Sequence, residues 1–213
     1  MKKTFWFVKL ILNLLMTMKN PQNTEAALKI GDCLCKMGLL DHEIDLIKQD
    51  TRASAYLLQR RLLQPYDVSQ LNELPDLSLG KTYAQHMISN NLKPDFYQKL
   101  KIKDDISYMM MRMRETHDLW HVITGFGTDV PGELGLQAFM FAQIRTPLSS
   151  ILIGGRILVS TFKNPAEVIQ IFDQVAKGWT IGRNATAIFG LDWDDHWRRP
   201  LSEIRSEFNV RAI

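Results

Sequence analysis

Two histidines and two carboxylates crowd one stretch of the chain. His117, Asp118 and His121 lie in the run His-Asp-Leu-Trp-His, and Glu133 follows twelve positions after the second histidine. If the run is helical, positions 117 and 121 fall one turn apart on the same face. Asp118 is one position from the first histidine and three from the second, so it shares that surface. Gly125, Gly127, Pro131 and Gly132 supply turn chemistry that can send the chain back and bring Glu133 in from the next helix. Two imidazoles and two carboxylates aimed at one point form a donor set for a divalent cation, zinc first, with magnesium, manganese or iron as alternatives. Each residue also has an ordinary use. A carboxylate at Glu133 in a first helical turn gains ~0.3–1 kcal/mol from the helix dipole. Asp118 can pair with Arg114, four positions back, for about 0.3–0.5 kcal/mol. The convergence of all four, beside Trp120 and an apolar flank, favours the metal.

Helical periodicity must position these groups, because no alternating strand pattern bounded by hairpin turns is present. The pattern predicts helices over 4–18, 24–38, 41–62, 79–91, 104–124, 131–145, 147–161, 165–189 and 200–208. The fold class is all-α, a bundle of about eight or nine helices with the metal site between two consecutive ones. Asp104 caps the site helix, and Asn164-Pro165 announces a later one. Residues 65–75 read as a connector with at most one short turn. Residues 1–78 are expected as an N-terminal helical segment packed on a core of 79–213, the whole making one structural domain.

Apolar material gathers around the candidate site. Met109, Met110, Met111 and Met113 precede the histidines, and methionines are adaptable fillers suited to a tunnel or groove for a flexible lipid chain, or to plain core. Met110 and Met113 are taken as candidate substrate contacts. Segment 147–162 is strongly apolar, with Gly154-Gly155 as a bend or a point of close approach. Arg112 and Arg114 flank the histidines, where a guanidinium fork could hold a carboxylate or phosphate; each could equally pair with an acid such as Glu115.

The composition narrows the function classes. A chain of 213 residues can build one good core. Its net charge of +3, with no dense basic patch, argues against nucleic acid. Cys33 and Cys35 point about 200° apart on a helix, so they read as free thiols of a reducing compartment. At the N-terminus, Lys2, Lys9, Asn13, Thr17 and Asn20 make a narrow polar stripe opposite a broad apolar face. Such a helix packs into the protein, lies in a membrane interface or, as the least favoured reading, is a cleaved signal. No stretch has the ~20 apolar residues that span a bilayer.

The run Arg112-Met-Arg-Glu-Thr-His117-Asp118-Leu-Trp-His121, followed by Gly132-Glu133, resembles the signature of the ubiquinone (coenzyme Q) biosynthesis protein 4 family: His-Asp-x-x-His, eleven residues, then Glu. Tyr83-Ala84 with Leu92-x-Pro94, Trp179-x-x-Gly182-Arg183-x-Ala185 and Leu201-x-x-x-Arg205-x-x-Phe208 resemble other stretches of it. The likeness covers roughly residues 79–210. It implies an all-helical protein holding a divalent metal, usually zinc, through His117, Asp118, His121 and Glu133. It also implies work on polyprenylated quinone precursors at a membrane surface, tied to loss of the ring carboxylate coupled to hydroxylation. Association with other quinone-synthesis proteins, peripheral membrane contact and a homodimer follow from the same resemblance. With no arginine-rich, serine-rich presequence in view, a bacterial, cytoplasmic member is expected.

Two rivals share these residues. One is a lipid-binding scaffold that presents an isoprenoid-tailed intermediate to other enzymes without turnover. The other is a metallohydrolase using His117-Asp118 with His86 and either Asp173 or Asp192, which would need neither His121 nor Glu133. The cluster Asp192, Asp194, Asp195 and His196 reads as capping and solvated acids ahead of the last helix.

Overall fold

The computed structural model describes residues 2–20, 23–94 and 99–213. Among these residues it contains eleven α-helices and one 3-10 turn. The sole β-type pairing among the described residues is a single bridge between Ser78 and Pro200. The all-α expectation holds, and the helix count exceeds eight or nine for two physical reasons. The predicted helix 41–62 is broken where the Asp50 side chain accepts the Ala53 amide at 2.8 Å and starts a new helix. The connector 65–75 carries its own short helix, capped by Asp67. The predicted 165–189 also stops early, at Asn184. Ile188 and Phe189 beyond it are buried in a non-helical segment, so their apolar character imitated a longer helix.

Close packing divides the chain into two compact units. The first comprises Met1–Leu46 and Asp129–Arg183. It holds α1 (Lys2–Lys19), α2 (Thr24–Met37), the start of α3 (Asp41–Gln49), α8 (Val130–Ile144), α9 (Pro147–Lys163) and nearly all of α10 (Pro165–Asn184). Helix α1 packs on α2 and α9. Gly155 is the point of approach: a Cβ there would lie 2.9 Å from the Leu14 side chain, whereas Gly154 faces open space. Helices α8 and α10 meet still more closely, because a Cβ on Gly178 would fall 1.9 Å from the Gly135 carbonyl oxygen. Neither cysteine is in a disulfide; Cys33 is buried and Cys35 half-buried.

The second unit comprises Ile47–Thr128 and Asn184–Ile213. It holds α4 (Thr51–Gln59), α5 (Val68–Asn72), α6 (Leu79–Ser89), α7 (Asp105–Thr124) and α11 (Leu201–Glu207). Helix α7 packs against α4 and α6 and is its structural axis. Its start is the expected Asp104 cap, in a full capping box: the Ser107 amide donates to Asp104 Oδ1 at 2.8 Å, and the Asp104 amide donates to Ser107 Oγ at 3.0 Å. Its end is Gly125, whose φ of 84° suits the left-handed turn there.

A candidate metal centre at the end of helix α7

Helix α7 brings His117 and His121 together as the spacing predicts, with their Nε2 atoms 3.3 Å apart. His121 is 2% exposed, and its Nδ1 lies 2.9 Å from the Phe126 carbonyl oxygen. A carbonyl only accepts, so Nδ1 carries the proton and a neutral His121 turns the lone pair of Nε2 toward His117. The His86 ring, on α6, stacks over His121 with centroids 5.6 Å apart and an interplanar angle of 23°.

Glu133 joins them from the first turn of α8, which Asp129 caps and Pro131 helps to start. One ligand atom from each of His117, His121 and Glu133 lies within 4.8 Å of the others. Among the described residues, this is the one group of three or more such side chains able to hold a metal ion. The donor set suits a metal. Two nitrogens each ~2.0–2.1 Å from a tetrahedral ion stand roughly 3.3–3.4 Å apart, which matches the histidine pair. A carbonyl that fixes the far ring nitrogen is the usual support of a ligating histidine.

Asp118 is half-buried and lies outside that group of three. Its charge is felt at Tyr66, whose hydroxyl lies 2.7 Å from that of Tyr83. Burial, above all, raises the Tyr66 pKa, and the negative charges of Asp118, Glu115 and Asp194 add to it. Met110 and Met113 are half-buried, and helical spacing sets them on the face of α7 that carries His117. Arg112 is 2% exposed and engaged elsewhere. It donates to the carbonyls of Phe189 at 3.1 Å and Leu191 at 2.6 Å, and lies over the Tyr56 ring at 4.4 Å. Arg114 is buried as well.

The acids of the C-terminal segment have structural partners. Asp192 pairs with Arg61 at 2.7 Å, and Asp194 accepts the Gln64 amide. Glu115 accepts the neighbouring Leu63 amide at 3.3 Å, while burial raises its pKa. Segment 61–64 is therefore tied down by side chains from α7 and from residues 192–194.

Residues 3–213 match the family described as coenzyme Q (ubiquinone) biosynthesis protein Coq4. The chain belongs to the Coq4 family. It is 28% identical over 199 residues to the mitochondrial ubiquinone biosynthesis protein COQ4 homolog of Danio rerio, covering 91% of this chain and 72% of that protein. It is 31% identical over 160 residues to the mitochondrial coq4 protein of Talaromyces stipitatus, covering 73% of this chain and 53% of that protein. The chain thus spans about half the length of the fungal relative. A crystal structure from Nostoc punctiforme, of a protein named as a candidate for ubiquinone biosynthesis, superposes with a TM-score of 0.86 at 30% identity. It covers 96% of this chain and 98% of that one. In this member of the Coq4 family, the support of the site that sequence reasoning missed is the Phe126 carbonyl, because backbone acceptors carry no residue-type signal. His86, named from sequence only as a ligand in the metallohydrolase alternative, stacks on His121.

Proposed function

We propose that this Coq4 family protein binds a polyprenylated ring intermediate of ubiquinone-type synthesis at a divalent metal and acts in loss of the ring carboxylate as carbon dioxide coupled to hydroxylation, with dioxygen as the external oxidant and source of the hydroxyl oxygen. The observation that carries the reading is the convergence of His117, His121 and Glu133, with His121 held in one tautomer by Phe126. These three residues, joined by Asp118, would hold the metal, zinc before magnesium, manganese or iron. When bound, such an ion supplies Lewis acidity toward a phenolate or carboxylate oxygen, an effect worth several kcal/mol. The chain's own residues do the rest. His121 is the fixed donor. Met110 and Met113, on the same helix face, offer an adaptable apolar wall for the ring or its tail. Arg112 donates to the Phe189 and Leu191 carbonyls, so the substrate's acidic group would fall to the metal rather than to that guanidinium.

A non-catalytic reading has one observation in its favour. Helix α1 leaves Phe5, Phe7, Val8, Leu12, Leu15 and Met16 more than half exposed, a surface suited to peripheral contact with a membrane or with other quinone-synthesis proteins. No helix among the described residues is long and apolar enough to cross a membrane. A homodimer, and a bacterial cytoplasmic setting at the membrane face, complete the proposal. The deciding experiment supplies metal-loaded protein with a carboxylated polyprenyl ring compound in air-saturated buffer, so that dioxygen is present as oxidant. Release of the carboxyl carbon by the native protein, lost in His117→Ala, supports catalysis. Tight binding of the compound without turnover supports the scaffold.

A further inference from the structure

The last turn of α7 carries His121, and an α-helix ends with four carbonyls that have no partner within the helix. Here each has one. Gly125 donates its amide to the His121 carbonyl at 2.8 Å. Arg205 donates from Nη2 to Val122 and from Nε to Ile123, both at 2.9 Å. The Ile213 amide donates to Thr124 at 3.1 Å. Three of the four donors therefore come from the C-terminal segment. The same segment also presses on the turn that supplies the Phe126 carbonyl: a Cβ added at Gly125 would meet the Ile213 carbonyl at 3.2 Å and its side chain at 3.4 Å.

We infer that Arg205 and Ile213 form a clamp that fixes the final turn of α7 and the following reversal, and so position the His121 imidazole as a metal donor. Neither residue reaches the donor atoms; both act through His121 and Phe126. Arg205 suits the task because its planar guanidinium spans two successive carbonyls with one rigid edge, and its charge opposes the negative end of the helix dipole. A lysine there would place one mobile point charge where two fixed donors stand. Ile213 contributes a backbone N–H, which only proline at that position would remove.

The inference rests on the metal reading above, so its test needs a readout that survives without metal. The full chain and the variants Arg205→Gln, Arg205→Lys and Ile213→Pro are compared in two measurements. Zinc affinity is measured by competition with a chelator, and the ¹⁵N resonances of the metal-free histidines give the ring tautomers. Loss of an outer support lowers metal affinity by about 10–100-fold in characterised sites. A drop of that size is expected for Arg205→Gln, with Arg205→Lys between it and the native protein. The His121 resonances should change from one fixed Nδ1–H form to an average of both. A control variant elsewhere, Leu34→Ala, should lower thermal stability without moving either readout. If Arg205→Gln fails to fold, the Lys and Pro variants carry the same comparison. A folded variant with unchanged zinc affinity and an unchanged His121 tautomer would overturn the clamp. Native protein that binds no zinc, yet shows the fixed tautomer that Arg205→Gln loses, would sink the metal reading and leave the clamp standing.

Discussion

Helices α1 and α7 are both rich in apolar residues, yet they are used in opposite ways. In α7, twelve of twenty residues are buried, including Arg112, Arg114 and His121. In α1, of eighteen residues, only Leu10 is buried, and large apolar side chains along its length stay exposed. Burial on most sides lets α7 hold Arg112 and His121 in fixed rotamers against backbone carbonyls. The open face of α1 fixes nothing and offers area. Chemistry is therefore expected to depend on α7 and its supports, and association on α1.

Substitution at the ligands tests that division most severely. Metal binding should be lost in His117→Ala and His121→Ala, and reduced strongly in Glu133→Gln. Asp118→Asn, outside the group of three, should have a smaller effect. Exchanging Phe7 and Leu12 of α1 for serine should leave metal content unchanged. Elemental analysis of each purified variant decides, and metal lost from the α1 variant would break the contrast.

The next effect concerns the first unit alone. Gly178→Ala sets a methyl group into the Gly135 backbone, where only helix movement can make room. Overpacking of this kind costs about 3 kcal/mol or more, which a shifted urea midpoint would report.

Glu43, at the start of α3, gives a pH signature of similar or smaller size. Its carboxyl is fully buried, and the nearby Thr146 hydroxyl makes no well-formed hydrogen bond to it. Burial, chiefly, pushes its pKa up to about 7 from the ordinary 4.5, against the opposing pull of its own amide and of Thr146. The folded state thus keeps a proton that the unfolded chain releases near 4.5. The associated stability is complete below that pH and is lost as pH rises through about 7. A shift of this kind amounts to roughly 3 kcal/mol. Glu43→Gln should flatten the pH dependence of the unfolding midpoint between about pH 4.5 and 7; an unchanged slope would refute this assignment.

The smallest effect is expected at α1. Phe7→Ser with Leu12→Ser, both at exposed positions, should alter stability by no more than about 0.5 kcal/mol. Sedimentation with anionic lipid vesicles should nevertheless fall. Retained sedimentation would place membrane contact elsewhere.

The same contrast explains what was legible from the residues alone. The Asp104 cap, the one-turn spacing of His117 and His121, and the first-turn position of Glu133 follow from local periodicity and turn chemistry, so they were readable. The break at Asp50 was hidden because apolar spacing runs through it. Arg112 looked like a substrate ligand because its type and neighbourhood allow that role. Its commitment to Phe189 and Leu191 depends on tertiary contacts across nearly eighty residues. Arg205 and Ile213 were invisible as supports of His121 for the same reason: their partners are backbone carbonyls, which every residue possesses. Asp118 is turned ~100° from His117 around the helix and lies outside the group of three, a distinction that adjacency in sequence does not carry.

The most direct test of the central claim is elemental analysis with chelator titration of the full chain purified without added metal. The account predicts a single divalent ion per chain, lost in both His117→Ala and His121→Ala while the helical circular dichroism is kept. Protein that takes up no ion, or binds one equally well in both histidine variants, would contradict it.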